Sequence, residues 1–243
     1  MINRKKLILY FLHFIPPILT PKKFREIFNK IFYRKKTKHY FEHEKKFFSR
    51  HAFINKAISI YENCKYLEIG VADNTVFNSI PLNIENKFGV DPIEGGNYRM
   101  TSDEFFKQNN DLKFDVIFID GLHEYEQCQR DCLNSMKHLK DDGIIFFHDF
   151  LPRSYFEEYI PRKQTAWTGD VWKVAVELNN SINVKFKIIN IDHGIGVLKI
   201  NKNSKYQKID SLKNEGFKEY LNYKKKLPII TSEEGFDFIL KKN

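Results

Sequence analysis

Phe114-Asp-Val-Ile-Phe-Ile-Asp-Gly-Leu-His123 contains a strand that needs cover on both sides. Its centre, Val116-Ile-Phe-Ile119, is apolar without the alternation of a half-exposed strand, which marks a parallel sheet buried between two helical layers. Around it, β-rich runs at Tyr66–Ile69, Phe88–Asp91, Tyr98–Met100, Ile144–His148, Val184–Asn190 and Ile195–Ile200 alternate with helical stretches at 75–80, 103–109, 124–139 and 170–180. That alternation predicts an α/β sheet, mostly parallel. The last two runs are joined by Ile191-Asp-His-Gly194, too short for a crossover, so they should pair antiparallel. Residues 201–243 read as a helical tail packed on the body.

In such sheets ligands bind beyond the carboxyl ends of the strands, at the switch point. The first strand ends Leu67-Glu-Ile-Gly70 and continues Val71-Ala-Asp-Asn-Thr75; the second ends Phe88-Gly-Val-Asp-Pro92. Gly70 can make a sharp turn beside a ligand. Asp91, 21 residues further on, can accept both ribose hydroxyls of a nucleoside. A dinucleotide fits poorly. The loop holds one glycine, has Ala72 in place of a second, and puts Asp73 where a pyrophosphate would sit, with no basic residue to offset it. S-adenosylmethionine (SAM) carries a sulfonium and an ammonium and no phosphate. An acidic loop with Glu68 nearby suits it.

Six pieces, in order, sharpen the reading. They are Glu68-Ile-Gly-Val71, Gly89-Val-Asp-Pro92, Met100-Thr-Ser-Asp-Glu-Phe-Phe106, Phe118-Ile-Asp-Gly-Leu-His-Glu-Tyr125, His148-Asp149 and Thr168-Gly-Asp-Val-Trp-Lys173. Together they resemble a bacterial class I SAM-dependent methyltransferase family associated with surface-polysaccharide (capsule or lipooligosaccharide) synthesis, over about residues 64–240. The resemblance implies a Rossmann-like sheet of seven strands, mostly parallel, with an antiparallel final strand and flanking helices. It also implies that Glu68, Gly70, Asp91 and Ser102 line the cofactor, and Asp120 is expected to close the same pocket from the other side. The sequence departs from the pattern in a short helix, broken by Pro81, after the first loop.

The chemistry is expected at the same edge. Asp120 follows one strand and His148-Asp149 the next. Two carboxylates and an imidazole suit a divalent ion, Mg2+ or another; the other reading has Asp120 touching SAM or acceptor directly while His148 and Asp149 anchor the loop. His123 is the candidate general base, with Asp120 beside it, because a sugar hydroxyl is a poor nucleophile until its proton leaves. The bland reading makes His123 a helix cap or a supporting residue. Trp167 and Asp170 are expected to bind an acceptor, with His148 and Asp149 beside them. Trp172 divides between acceptor contact and core. The remaining histidines, His193 among them, read as structural or surface residues.

Charge is unevenly placed. Residues 1–56 hold 15 Lys/Arg against 3 Asp/Glu, whereas the rest of the chain holds 25 against 28. The body therefore lacks the basic face that nucleic acid would need. Composition divides the chain into a basic amphipathic segment at 1–56, a SAM-binding domain at 57–200 and the tail at 201–243. Within 5–36, apolar Phe24, Ile27, Phe28, Ile31 and Phe32 share one helical face ringed by Lys and Arg. That face suits an anionic membrane surface or a packing partner, a second copy of the chain included. Leu7 to Leu19, interrupted by Pro16 and Pro17, is neither a secretory signal nor long enough to span a bilayer. The expected location is cytoplasmic, peripheral on the inner membrane face. Cys64, Cys128 and Cys132 lack metal spacing and read as small buried residues of a reducing compartment.

The expected activity is methylation of a sugar or sugar-linked oxygen, the acceptor being a small molecule or glycan. A small phosphorylated or phosphoramidate metabolite is the alternative acceptor. A non-catalytic, membrane-recruited module with a vestigial SAM pocket is the alternative of another class; clustered ionisable groups argue against it.

Overall fold

The computed structural model describes residues 48–241. The amphipathic stretch 5–36 lies outside them. Among the described residues the strands are β1 (Tyr66–Ile69), β2 (Lys87–Val90), β3 (Phe114–Ile119), β4 (Leu139–Phe147), β5 (Lys185–Ile189), β6 (Ile195–Lys199) and β7 (Ile229–Ile230). The helices are α1 (Arg50–Ile58), α2 (Thr75–Ser79), α3 (Ser102–Gln108), α4 (Tyr125–His138), α5 (Tyr155–Glu158), α6 (Trp172–Asn180), α7 (Phe217–Lys224) and α8 (Ser232–Leu240). No helix among the described residues is long and apolar enough to cross a membrane.

The sheet runs β2-β1-β3-β4-β6-β5-β7. β1 pairs parallel with β2 and β3, β3 with β4, and β5 with β7, while β6 lies antiparallel between β4 and β5. This is the class I methyltransferase sheet. Its membership differs in one place from expectation. Tyr98 makes a single parallel bridge to Val90 and no strand; the seventh strand comes from the tail, where Ile229 and Ile230 pair with Ile188 and Ile189. The antiparallel β6 is thus followed by one more parallel strand.

Alternate residues of each central strand feed two cores. Leu67, Ile69, Ile117, Ile119, Ile145 and Phe147 face one side, with Phe105, Cys128, Cys132, Trp172 and Tyr220 from α3, α4, α6 and α7. Tyr66, Val116, Phe118, Ile144 and Phe146 face the other, with Phe53 and Ile54 of α1, Phe77 of α2 and Ile239 of α8. All six residues of β3 are buried, as its unbroken apolar run requires. The cysteines are free and buried, and burial raises all three thiols above their ordinary range.

α1 straddles the composition boundary at residue 56 and packs on α8. Phe53 stacks on Phe236 with ring centroids 4.3 Å apart. Both helices flank the sheet so that the first residue of α1, Arg50, reaches the edge where β1, β3 and β4 end.

Candidate active site

The β1 and β2 ends are tied by backbone. Gly70 turns with φ +83, and a Cβ there would lie 2.1 Å from the Asp120 carbonyl oxygen. The sharp turn is as expected, but what approaches it is the neighbouring strand end. Asp91 accepts from the N–H groups of Ala72 (3.0 Å), Ile93 (2.8 Å) and Glu94 (2.9 Å). Its carboxylate is thereby fixed at the carboxyl end of β2, and it ties the loop after β1 to the loop after β2. Glu68 is only 1 % exposed and accepts from the Tyr66 hydroxyl at 2.7 Å. Burial pushes its carboxyl up to about 8 against the opposing Tyr66 bond, and the Asp120 charge adds to the rise. Glu68 thus lies beneath the edge as a largely neutral acid.

Ser102 stands apart from this group. Its hydroxyl donates to Asp131 at 2.6 Å and receives from Gln127 at 3.1 Å, joining α3 to α4. Asp170 is also committed elsewhere: it accepts from the Tyr125 N–H at 2.6 Å, at the first turn of α4, and from Lys173 at 2.8 Å. That is a helix-terminal role. Trp172 is fully buried, so it belongs to the core.

The ends of β3 and β4 bring the remaining candidates together. Asp120 Oδ1 is 3.1 Å from His148 Nδ1 and 3.5 Å from His123 Nε2. Asp149 Oδ2 is 3.1 Å from His123 Nδ1 and 3.2 Å from His148 Nδ1. Asp149 holds this place with φ +66, a left-handed conformation uncommon for a residue with a Cβ. His123 Nδ1 also lies 2.9 Å from the Trp167 carbonyl. A carbonyl can only accept, so Nδ1 carries a proton and Nε2 is the atom free to exchange one. Trp167 stacks on the same imidazole, centroids 5.1 Å apart and planes 17° from parallel. The indole thus spends one face on the base. Gly169 allows this closure: with φ +62, a Cβ there would sit 1.6 Å from the His123 carbonyl oxygen.

Three further residues complete the cluster. Arg50 donates from Nη1 to Asp120 at 2.6 Å and from Nε to Asp192 at 2.7 Å. Asp192 Oδ1 is 3.5 Å from His148 Nε2. His193, read from sequence as structural or surface, lies 4.0 Å from Asp149 and 3.8 Å from Glu157. Asp192 and His193 sit in the β5–β6 turn with φ of 44 and 60. The turn reaches this edge because β5 runs parallel to β4, and the Leu151 N–H bonds the His193 carbonyl at 2.7 Å.

Charges set the proton balance. Burial opposes ionisation of Asp120, but His148, His123 and Arg50 hold its pKa far below the carboxylate range. Burial likewise opposes charge on both imidazoles. Asp120 and Asp149 nevertheless hold His123 above its ordinary value and His148 well above. Among the described residues two overlapping trios could hold a metal: Asp120, His148 and Asp149, or His148, Asp192 and His193, each with ligand atoms within 4.8 Å of one another.

A family described as "Methyltransferase domain" matches residues 90–150, which run from the end of β2 to just past His148-Asp149. The match spans about a quarter of the chain. No curated protein matches the chain in sequence. Among solved structures, the chain is similar to an O-methyltransferase from Bacillus cereus in complex with S-adenosylhomocysteine, at 9 % identity over 75 % of this chain and 93 % of that one, TM-score 0.46. It is also similar to MycE methyltransferase of mycinamycin biosynthesis, in complex with Mg, S-adenosylhomocysteine and mycinamycin VI. The identity there is 13 % over 74 % of this chain and 55 % of that one, TM-score 0.41.

Proposed function

We infer that the domain binds SAM and transfers its methyl group to a hydroxyl oxygen, with a sugar or sugar-linked intermediate of surface-glycan synthesis as acceptor. The carrying observation is the His123 imidazole, its tautomer set by Trp167 and its Nε2 turned toward Asp120 at the carboxyl edge of the sheet. Asp91 is the residue to hold the ribose, and the loop Gly70–Asp73 lies beside it without a basic side chain. That acidic set fits a sulfonium-bearing nucleoside and repels a pyrophosphate.

SAM supplies an electrophilic methyl, displaced in line from sulfur to leave S-adenosylhomocysteine. The chain's own work is to prepare the oxygen. Neutral His123 takes the hydroxyl proton on Nε2 as the O–methyl bond forms, and Asp120 and Asp149 stabilise the resulting imidazolium. A neutral hydroxyl needs such a base and an already ionised acceptor does not, which favours the sugar reading. In the trio Asp120, His148 and Asp149, the His148 Nδ1 atom already sits between both carboxylates at 3.1 and 3.2 Å. That trio pairs with itself, and no step passes through an ion there.

Labelled SAM, candidate sugar nucleotides and mass spectrometry test the reading. A one-methyl mass gain that falls sharply in His123→Gln supports it. A pH-independent rate with a fully active His123→Gln overturns the general-base role.

A further inference from the structure

We propose that His148, Asp192 and His193 form a binding site for a first-row divalent transition metal, with His148 bound through Nε2. Asp192 Oδ1 lies 3.5 Å from that nitrogen, and the ligand atoms of all three residues fall within 4.8 Å of one another.

The pointer to a ligand is His148 itself. The residue is 8 % exposed, and its Nε2 is buried without a hydrogen-bond partner. Nε2 faces Asp192 and the His193 turn. The opposite nitrogen, Nδ1, lies 3.1 Å from Asp120 and 3.2 Å from Asp149. A ligating histidine characteristically gives its second ring N–H to a carboxylate, which fixes the tautomer and makes the other nitrogen the donor to metal. His148 has that carboxylate on one side and an orphaned nitrogen on the other.

The other two ligands are supported in the same way. Asp192 is gripped by Arg50 at 2.7 Å through Nε and 3.3 Å through Nη2. His193 stands 3.8 Å from Glu157 and 4.0 Å from Asp149. Asp192 thus has a cation behind it, and each imidazole has carboxylates near it. Asp120 and Asp149, the acids first expected to bind a cation, become outer partners in place of ligands.

Two imidazoles and one carboxylate leave open positions on the ion. That donor set suits Fe2+, Co2+ or Zn2+ and disfavours Mg2+, which prefers an all-oxygen shell. The site adjoins the acidic edge where an acceptor oxygen is proposed to arrive. Its occupancy can be read without turnover, so the result is independent of the methyltransferase reading.

The test uses the full chain, stripped with chelator and titrated with Co2+ under calorimetry and visible absorption. One Co2+ per chain is expected, with a ligand-field spectrum and no competition from Mg2+ in large excess. Asp192→Asn and His193→Gln should each weaken binding more than about 100-fold and change the spectrum. Asp149→Asn should weaken it by about 10–100-fold, as for an outer partner, and keep the spectrum. Zn2+ added to 15N-labelled wild type requires no variant to fold: His148 should show a metal-bound Nε2 and a protonated Nδ1. Overturning results are no stoichiometric Co2+ binding, unchanged binding in both Asp192→Asn and His193→Gln, or Zn2+ on His148 Nδ1.

Discussion

At the ends of β1 and β2 the edge is held by carboxylate-to-backbone bonds between near neighbours, such as Asp91 to Ala72, 19 residues apart. At the ends of β3 and β4 it is held by side chains from distant segments, the longest reach being Arg50 to Asp192 across 142 residues. The first half is written in local motifs: a glycine turn, an acid after a strand. The second is assembled by topology, because α1, β3, β4 and the β5–β6 turn all deliver charge to one edge. A backbone-held site tolerates changes elsewhere in the chain. A site of mutually paired charges couples every member to its neighbours.

The contrast breaks most visibly at His123. General-base catalysis contributes about 10²–10⁴-fold, so His123→Gln should lower kcat by that order with little change in S-adenosylhomocysteine affinity. Because Asp120 and Asp149 raise its pKa, the wild-type rate should climb with pH through an ionisation above histidine's ordinary range. Stopped assays across neutral and mildly alkaline pH would detect it. A matching loss of cofactor affinity would mean that the two halves are not separable.

Asp91→Ala tests the other half. Losing a charge-assisted ribose contact should cost about 2–4 kcal/mol of S-adenosylhomocysteine binding. Calorimetry should show that loss, and Asp91→Asn should recover part of it. Equal affinity in wild type and Asp91→Ala would remove the ribose from this edge.

Arg50→Met asks how tightly the long-range half is bound together. The side chain is 23 % exposed, so its loss should fall between an exposed pair, under about 1 kcal/mol, and a buried one, about 3–5 kcal/mol. Chemical unfolding measures the stability, and the pH profile should shift as Asp120 and Asp192 lose their shared cation. Stability and profile both unchanged would reduce Arg50 to a surface residue.

Glu68 shows itself as a slope in pH, small across any one unit. Its carboxyl titrates at about 8 in the fold and near the ordinary carboxylate value when unfolded. Between those limits the unfolded chain releases a proton that the folded chain keeps. Stability from this residue is therefore full below the ordinary value and falls by about 1.4 kcal/mol per pH unit until the folded group ionises. Glu68→Gln should flatten that slope, read as melting temperatures at mildly acidic and mildly alkaline pH.

Sequence periodicity found β1 and β3 to the residue, because they are buried on both faces, and missed the first half of β4, where Lys140, Asp141 and Asp142 are not buried. It overrated Tyr98, whose polar, glycine-rich approach supports only a bridge. Asp120, His123, His148 and Asp149 were legible since each lies at the end of a predicted strand or within four residues of it. What Ser102 and Asp170 bond to within the fold was not legible, because proximity to the edge in sequence does not say which way a side chain turns, and both are tied to α4. Asp192 and His193 could have been found. A hairpin turn after a strand parallel to β4 must lie at the same edge as His148. Nothing local marks Arg50, whose place depends on how α1 packs.

That packing bears on when the charge cluster is set. Phe53 of α1 is stacked against Phe236 of α8, and α1 carries Arg50 to the acidic cluster. A nascent chain emerging from the ribosome can fold β1 to β4 long before residue 236 is made. Until then α1 lacks its stacking partner, and the charge cluster lacks a firmly seated cation. Assembly of the charge cluster therefore waits on α8, and a chain truncated before α8 should hold its strands while leaving that cluster unset.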